Sequence, residues 1–177
     1  MSNQIIKLKL LEKQDLQKII DWNVDKSADD LMQWAGPKFN YPLILKQLEN
    51  YFLSEVLIEK VFVYKILLAS TDEMIGTIEI REIDETNKIG KICRFLIGEK
   101  NNRGNHIGTA ALNEILKIGF KDMNFKKITL GVFDFNYSAI RCYEKVGFVK
   151  ESLSKNIRKV SNAYWNLYKM SILKPES

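Results

Sequence analysis

The chain has 177 residues, of which 46% are hydrophobic, a length for one domain and enough apolar material for a sizeable core, with no tract biased enough to suggest disorder. Its net charge of +5 is uneven: residues 1–90 carry 11 Lys/Arg against 15 Asp/Glu and residues 91–177 carry 16 against 7, yet the basic residues are scattered rather than striped, which argues against nucleic acid. No run of 18 apolar residues exists to span a membrane, residues 1–7 lack a secretory core, and Cys93 and Cys142, both set in apolar patterns, imply no disulfide framework, so a reduced cytoplasmic setting is expected.

Taken in order, Ile6, Leu8 and Leu10 alternate with lysines and predict a half-buried strand over 4–10. Leu16, Ile19 and Ile20 predict a helix over 14–22. The breaker Gly36-Pro37 marks the stretch from Asp25 to Pro37 as a loop. A helix over 43–58 follows, with Leu45, Leu48, Phe52 and Val56 on one face. Strands are predicted over 61–68, 74–83 and 88–97. After them come a helix through Ala111, Leu112, Ile115, Leu116 and Gly119, a strand over 127–133, a helix over 136–146 stopped by Gly147, and strands over 148–153 and 163–173. The order is β-α-α-β-β-β-α-β-α-β-β, with no internal repeat and no linker, so residues 1–177 read as a single domain.

The most informative stretch joins the strand ending Phe95-Leu96-Ile97-Gly98 to the next helix through Arg103-Gly104-Asn105-His106-Ile107-Gly108. A glycine-bearing loop entering a helix gathers unpaired N–H groups and the positive helix dipole in one place, which suits a phosphate. It is neither a Walker loop nor a dinucleotide fingerprint. It resembles motif A of the GNAT N-acetyltransferase superfamily, Gln/Arg-x-x-Gly-x-Gly/Ala, with Arg103 first, Gly108 last and His106 departing from the middle glycine. A second segment, Asn136 to Phe148, resembles that superfamily's Asn-x-x-Ala-x-x-x-Tyr-x-x-x-Gly-Phe run at Asn136, Ala139, Tyr143, Gly147 and Phe148.

The resemblance implies an α/β (α+β) GNAT fold: a mixed, strongly twisted sheet of about seven strands with helices on both faces. It implies acetyl-CoA as cosubstrate, no metal, and direct attack of a primary amine in a ternary complex. The pantetheine would pair with the edge at Phe95, Leu96 and Ile97, and the pyrophosphate would lie on N–H groups of Arg103, Gly104, Asn105, His106, Ile107, Gly108 and Thr109. Tyr143 would donate a proton to the leaving thiolate, although its pattern also suits a core aromatic. Asn136 would either bond the cofactor or cap its helix. No base stands out; Glu79 is the first candidate, ahead of Asp134 and Asp84. Trp34, Phe39 and Tyr41 would shape the acceptor site and resemble the branch of ribosomal-protein N-terminal (alanine) acetyltransferases, so the acceptor is a protein N-terminus or a small amine. The charge split suggests a cationic acceptor drawn to the acidic half. The superfamily also allows a homodimer. A CoA-binding module without turnover is the alternative, because of His106 and the missing base.

Overall fold

Seven strands form one mixed sheet. The computed structural model describes residues 4–58, 60–104 and 106–176. The strands are β1 (Ile6–Leu10), β2 (Val61–Leu68), β3 (Met74–Asp84), β4 (Ile89–Ile97), β5 (Lys127–Phe133), β6 (Val149–Val160) and β7 (Ala163–Leu173), in the spatial order β1-β2-β3-β4-β5-β7-β6. Neighbours are antiparallel except β4 and β5, which run parallel.

Alternation along β2 explains why both faces are covered. Val61 and Val63 join one apolar cluster, while Tyr64, Ile66 and Leu68 join or pack on the other. The first cluster is closed by α1 (Leu16–Asn23), α2 (Ala28–Ala35) and α3 (Leu45–Tyr51), the last continuing as a π-helical turn through Val56. The second is closed by α4 (Ile107–Lys117), which also runs on into a π-helical turn, and by α5 (Tyr137–Lys145). Helices on both faces of a seven-stranded mixed sheet are what the sequence resemblance implies.

Two expectations are corrected. The stretch read as a loop contains α2, so among the described residues three α-helices, not two, separate β1 from β2. A capping box starts α2: the Asp30 N–H donates to the Ser27 hydroxyl at 3.1 Å and the Ser27 N–H donates to the Asp30 carboxylate at 2.9 Å. Gly36, at φ +62°, ends the helix rather than marking a loop throughout. The second correction is β6, which continues past Leu153 to Val160. Its residues are almost all exposed, so no buried alternation betrays it; pairing with β7 holds it extended.

Candidate active site

β4 and β5 pair only at Ile89–Lys127, Gly90–Ile128 and Lys91–Thr129. Beyond that point β4 keeps to β3 and β5 keeps to β7, so the sheet splits. The backbone edge of Ile92–Ile97 is left without a strand partner on its β5 side. The wedge is a cleft of about 470 Å³, walled by that edge, by Leu130–Val132 of β5, by the starts of α4 and α5, and by Trp22, Gln33 and Trp34 of the first helices.

At the mouth, α4 begins with His106 in the left-handed conformation, φ +60°, as its N-cap. Histidine tolerates that region better than most residues, which reconciles it with a position where glycine is usual. The first helical bond runs from the Ala110 N–H to the His106 carbonyl, 2.9 Å, so the N–H groups of Ile107, Gly108 and Thr109 have no partner within the helix. Arg103 donates from Nε and Nη2 to the Ile97 carbonyl, 3.1 and 2.9 Å, tying the loop back to the end of β4. Gly108 keeps α4 close to α5: a Cβ there would lie 3.3 Å from the Cys142 Sγ. Lys145 Nζ lies 3.4 Å from His106 Nδ1 and adds positive charge at the same mouth.

The expected cofactor residues divide. Phe95, Leu96, Ile97, Arg103, Gly104, His106, Gly108, Thr109 and Asn136 all line the cleft. The Ile107 side chain is buried in the core, and its backbone N–H is the group expected to face the ligand. Asn105 lies outside the described residues. The Asn136 side-chain oxygen caps α5, accepting from the Ala139 N–H at 3.3 Å, so only its amide NH₂ is left for a ligand.

Tyr143 both lines the cleft and packs edge-on to Phe148, ring centroids 5.9 Å apart. Its hydroxyl makes no hydrogen bond to another side chain among the described residues, and it is not sealed from solvent. Burial, then the nearby Cys142 and Cys93 thiols, push its pKa well up, so it stays protonated.

Glu79 is the clearest correction. It is 1% exposed and faces away from the cleft, into a small apolar cavity behind β4. Arg94 grips it with two hydrogen bonds, Nε at 2.7 Å and Nη2 at 2.5 Å; Arg81 Nε donates at 2.8 Å, and the Tyr51 hydroxyl donates as well. Burial pushes its carboxyl up, but Arg94, Tyr51 and Arg81 outweigh that and leave the pKa below the usual carboxylate range. A carboxylate so saturated and so placed cannot take a proton from an amine in the cleft. Asp134, the next candidate, accepts from the Asn166 amide at 2.8 Å; Asp84 holds the Asn87 turn.

Of the three acceptor aromatics, Trp34 lines the cleft, its indole N–H donating to Asn23 Oδ1 at 3.0 Å. Phe39 is a core residue edge-on to Tyr51 at 5.5 Å, and Tyr41 is exposed and away from the cleft, so neither shapes its wall. The residue that sequence reasoning missed is Trp22. It presses on Gly98, where a Cβ would lie 1.9 Å from the indole, and its N–H donates to Glu99 at 2.8 Å. Nothing in helical spacing separates such a contact from core packing. The acidic surplus of the first half is not aimed at the cleft either. Glu12 and Asp15 bind Lys65, Asp72 binds Lys7, Glu82 binds Lys60, and Asp30, inside its cap, is the one carboxylate on the wall among the described residues.

A sheet split at its parallel pair, with a helix N-terminus aimed at the split, suits an extended, phosphate-bearing ligand. The family model of the acetyltransferase (GNAT) domain matches residues 8–167, and the chain belongs to that family. Its relatives include a protein described as an uncharacterized N-acetyltransferase, p20, of Bacillus licheniformis, 28% identical over 64% of this chain and 62% of its own length. The aminoglycoside N(6')-acetyltransferase type 1 of Klebsiella pneumoniae is 25% identical over 85% of this chain and 77% of its own. In fold the chain is similar to the spermidine N-acetyltransferase of Vibrio cholerae, solved with CoA and spermine, with a TM-score of 0.83 over 97% of this chain and 96% of that one at 23% identity.

Proposed function

We propose that the chain transfers an acetyl group from acetyl-CoA to the primary amine of a small molecule by direct attack within a ternary complex. The observation that carries this reading is the bare β4 edge, Ile92–Ile97, and Tyr143 lining one and the same cleft. The edge supplies amides for the pantetheine and an N–H for the oxyanion, and the start of α4 receives the pyrophosphate. Tyr143, kept protonated by burial, hands its proton to the departing thiolate. With Glu79 clamped away from the cleft, the amine loses its proton to water at the open mouth, so the pH dependence follows the amine's own pKa.

Relatives named for aminoglycosides and spermidine support a small amine over a protein N-terminus. The wall opposite the cofactor offers two indoles, Trp22 and Trp34, the amides of Asn23 and Gln33, and one charge of each sign, Lys26 and the capped Asp30, which fits an acceptor with flat or hydroxylated surfaces rather than a bare polycation. The test is thiol release from acetyl-CoA across a panel of aminoglycosides, polyamines, arylalkylamines and N-terminal peptides. Release with a small amine and none with peptides is the expected result. Tight CoA binding with no release from any amine favours instead a binding module, the reading for which the missing base speaks.

A further inference from the structure

The feature that the reaction as described does not use is the buried ion cluster behind β4. Between the pairs Glu79–Cys93 and Thr77–Leu96, one residue of β3 opposes two of β4, Arg94 and Phe95. This is a β-bulge, and Arg94 sits in it at φ +44°, a left-handed conformation that a residue with a side chain adopts only when its surroundings hold it there. The bulge lies within the edge that faces the cleft.

What holds it is on the far side of the strand. The Arg94 guanidinium makes the two bonds to Glu79 and stacks over the Tyr51 ring, 5.3 Å from its centroid. Glu79 is in turn fixed by the Tyr51 hydroxyl and by Arg81. Arg94 and Trp34 line both the cleft and the small cavity of about 30 Å³ behind it, so Arg94 is part of the partition between the two. A buried pair adds little net stability over an apolar packing, but it fixes geometry, because breaking either half leaves a charge stranded.

We propose that the Arg94–Glu79 pair is a clamp that sets the β4 bulge, and through it the direction of the backbone N–H groups that meet the acyl carbonyl. Both residues are positioning residues. This rests on the acetyl-transfer reading above.

Glycine supplies the discriminating variant, since it adopts positive φ without a clamp. Arg94→Ala, with a Cβ and no clamp, releases the bulge and lowers kcat by roughly 30-fold, whereas Arg94→Gly leaves the backbone in place and loses only about threefold, in keeping with the rate lost to small misplacements of a site. Glu79→Gln lowers kcat about tenfold in the wild-type background and adds nothing to Arg94→Gly, which has no guanidinium to hold; such coupling is what a double-mutant cycle reads. Acetyl-CoA affinity falls less than kcat in all of these, because the pyrophosphate contacts lie elsewhere and only the pantetheine shares the released edge.

A readout without turnover comes from the Phe95 amide. Its ¹⁵N–¹H shift and hydrogen exchange move in Arg94→Ala and stay near wild type in Arg94→Gly. Should wild type acetylate no amine, the function above fails while the Phe95 amide still decides the clamp. Equal losses in folded Ala and Gly variants, or a Gly variant that drops more than tenfold with an unmoved Phe95 amide, overturn it. So does a Glu79→Gln penalty that is the same in both backgrounds. If Arg94→Ala does not fold, the Gly variant and the cycle carry the decision alone.

Discussion

The two long walls of the cleft are made on different terms. The wall of β4, the loop and α4 meets its ligand with backbone: an unpaired strand edge and, at a helix start, N–H groups without a partner inside the helix. The wall of α1 and α2 meets its ligand with side chains, Trp22, Asn23, Gln33 and Trp34. A backbone wall constrains sequence only where a side chain would intrude, as at Gly108, or where φ turns positive, as at Gly104. A side-chain wall can be rewritten position by position without disturbing the sheet. The cofactor is therefore common to a family and the acceptor is not.

The largest expected effect falls on the backbone wall. At about 100 times its dissociation constant, acetyl-CoA stabilises the fold by roughly 2.7 kcal/mol, which for this size is a rise of about 5–11 °C in Tm. Gly108→Glu, which sets bulk and negative charge against Cys142 and the pyrophosphate position, removes that rise entirely in differential scanning fluorimetry. A mutant that keeps the full shift would put the cofactor elsewhere.

Tyr143→Phe comes next and separates chemistry from binding. It should lower turnover about 10²-fold, the low end for a lost proton donor, because a thiolate leaves readily. CoA affinity, measured by titration calorimetry, and the packing on Phe148 should persist. Unchanged turnover would make this tyrosine part of the core alone.

Trp34→Ala probes the side-chain wall. It should raise the acceptor KM by about tenfold, the scale of one lost apolar contact, with acetyl-CoA KM unmoved. A change in both would mean that the walls are not independent.

The smallest effect concerns ionic strength. Because Asp30, held in its cap, is the one carboxylate lining the cleft among the described residues, acceptor kcat/KM at saturating acetyl-CoA should vary by less than about twofold over a tenfold range of salt. A steep fall with salt would restore the idea that the acidic half steers a cationic acceptor.

The same division explains what was legible in the sequence. The strands β2, β3, β4, β5 and β7 announce themselves by alternation and length, and α4 by its apolar stripe, because each buries a face against the others. The loop and the run from Asn136 to Phe148 are legible because backbone geometry demands glycine, a cap and a helix at fixed intervals. The misreadings lie on the other side. Gly36-Pro37 was a stop signal for α2 rather than a loop, and the Ser27–Asp30 box was there to be read. Phe39 and Trp34 are five residues apart and equally aromatic, and only tertiary packing sends one to the core and the other to the cleft. Glu79 looked free because the partners that bury it are distant in sequence, Tyr51 from α3 and Arg94 from the neighbouring strand, while Arg81, two residues on, reads as an ordinary surface charge.

The contact between Trp22 and Gly98 has a consequence for tolerance. One indole face resting on one bare Cα joins the first helix to the end of β4, so it acts as the spacer that gauges the gap between the walls. Like a shim in a vice, it fixes how wide a slab of molecule the jaws admit. A single methyl at position 98 displaces the tryptophan and opens the jaws. The bore of this cleft is thus set at Gly98, a residue that does not line it, and calibre becomes a property that one substitution adjusts while the chemistry at its floor is left alone.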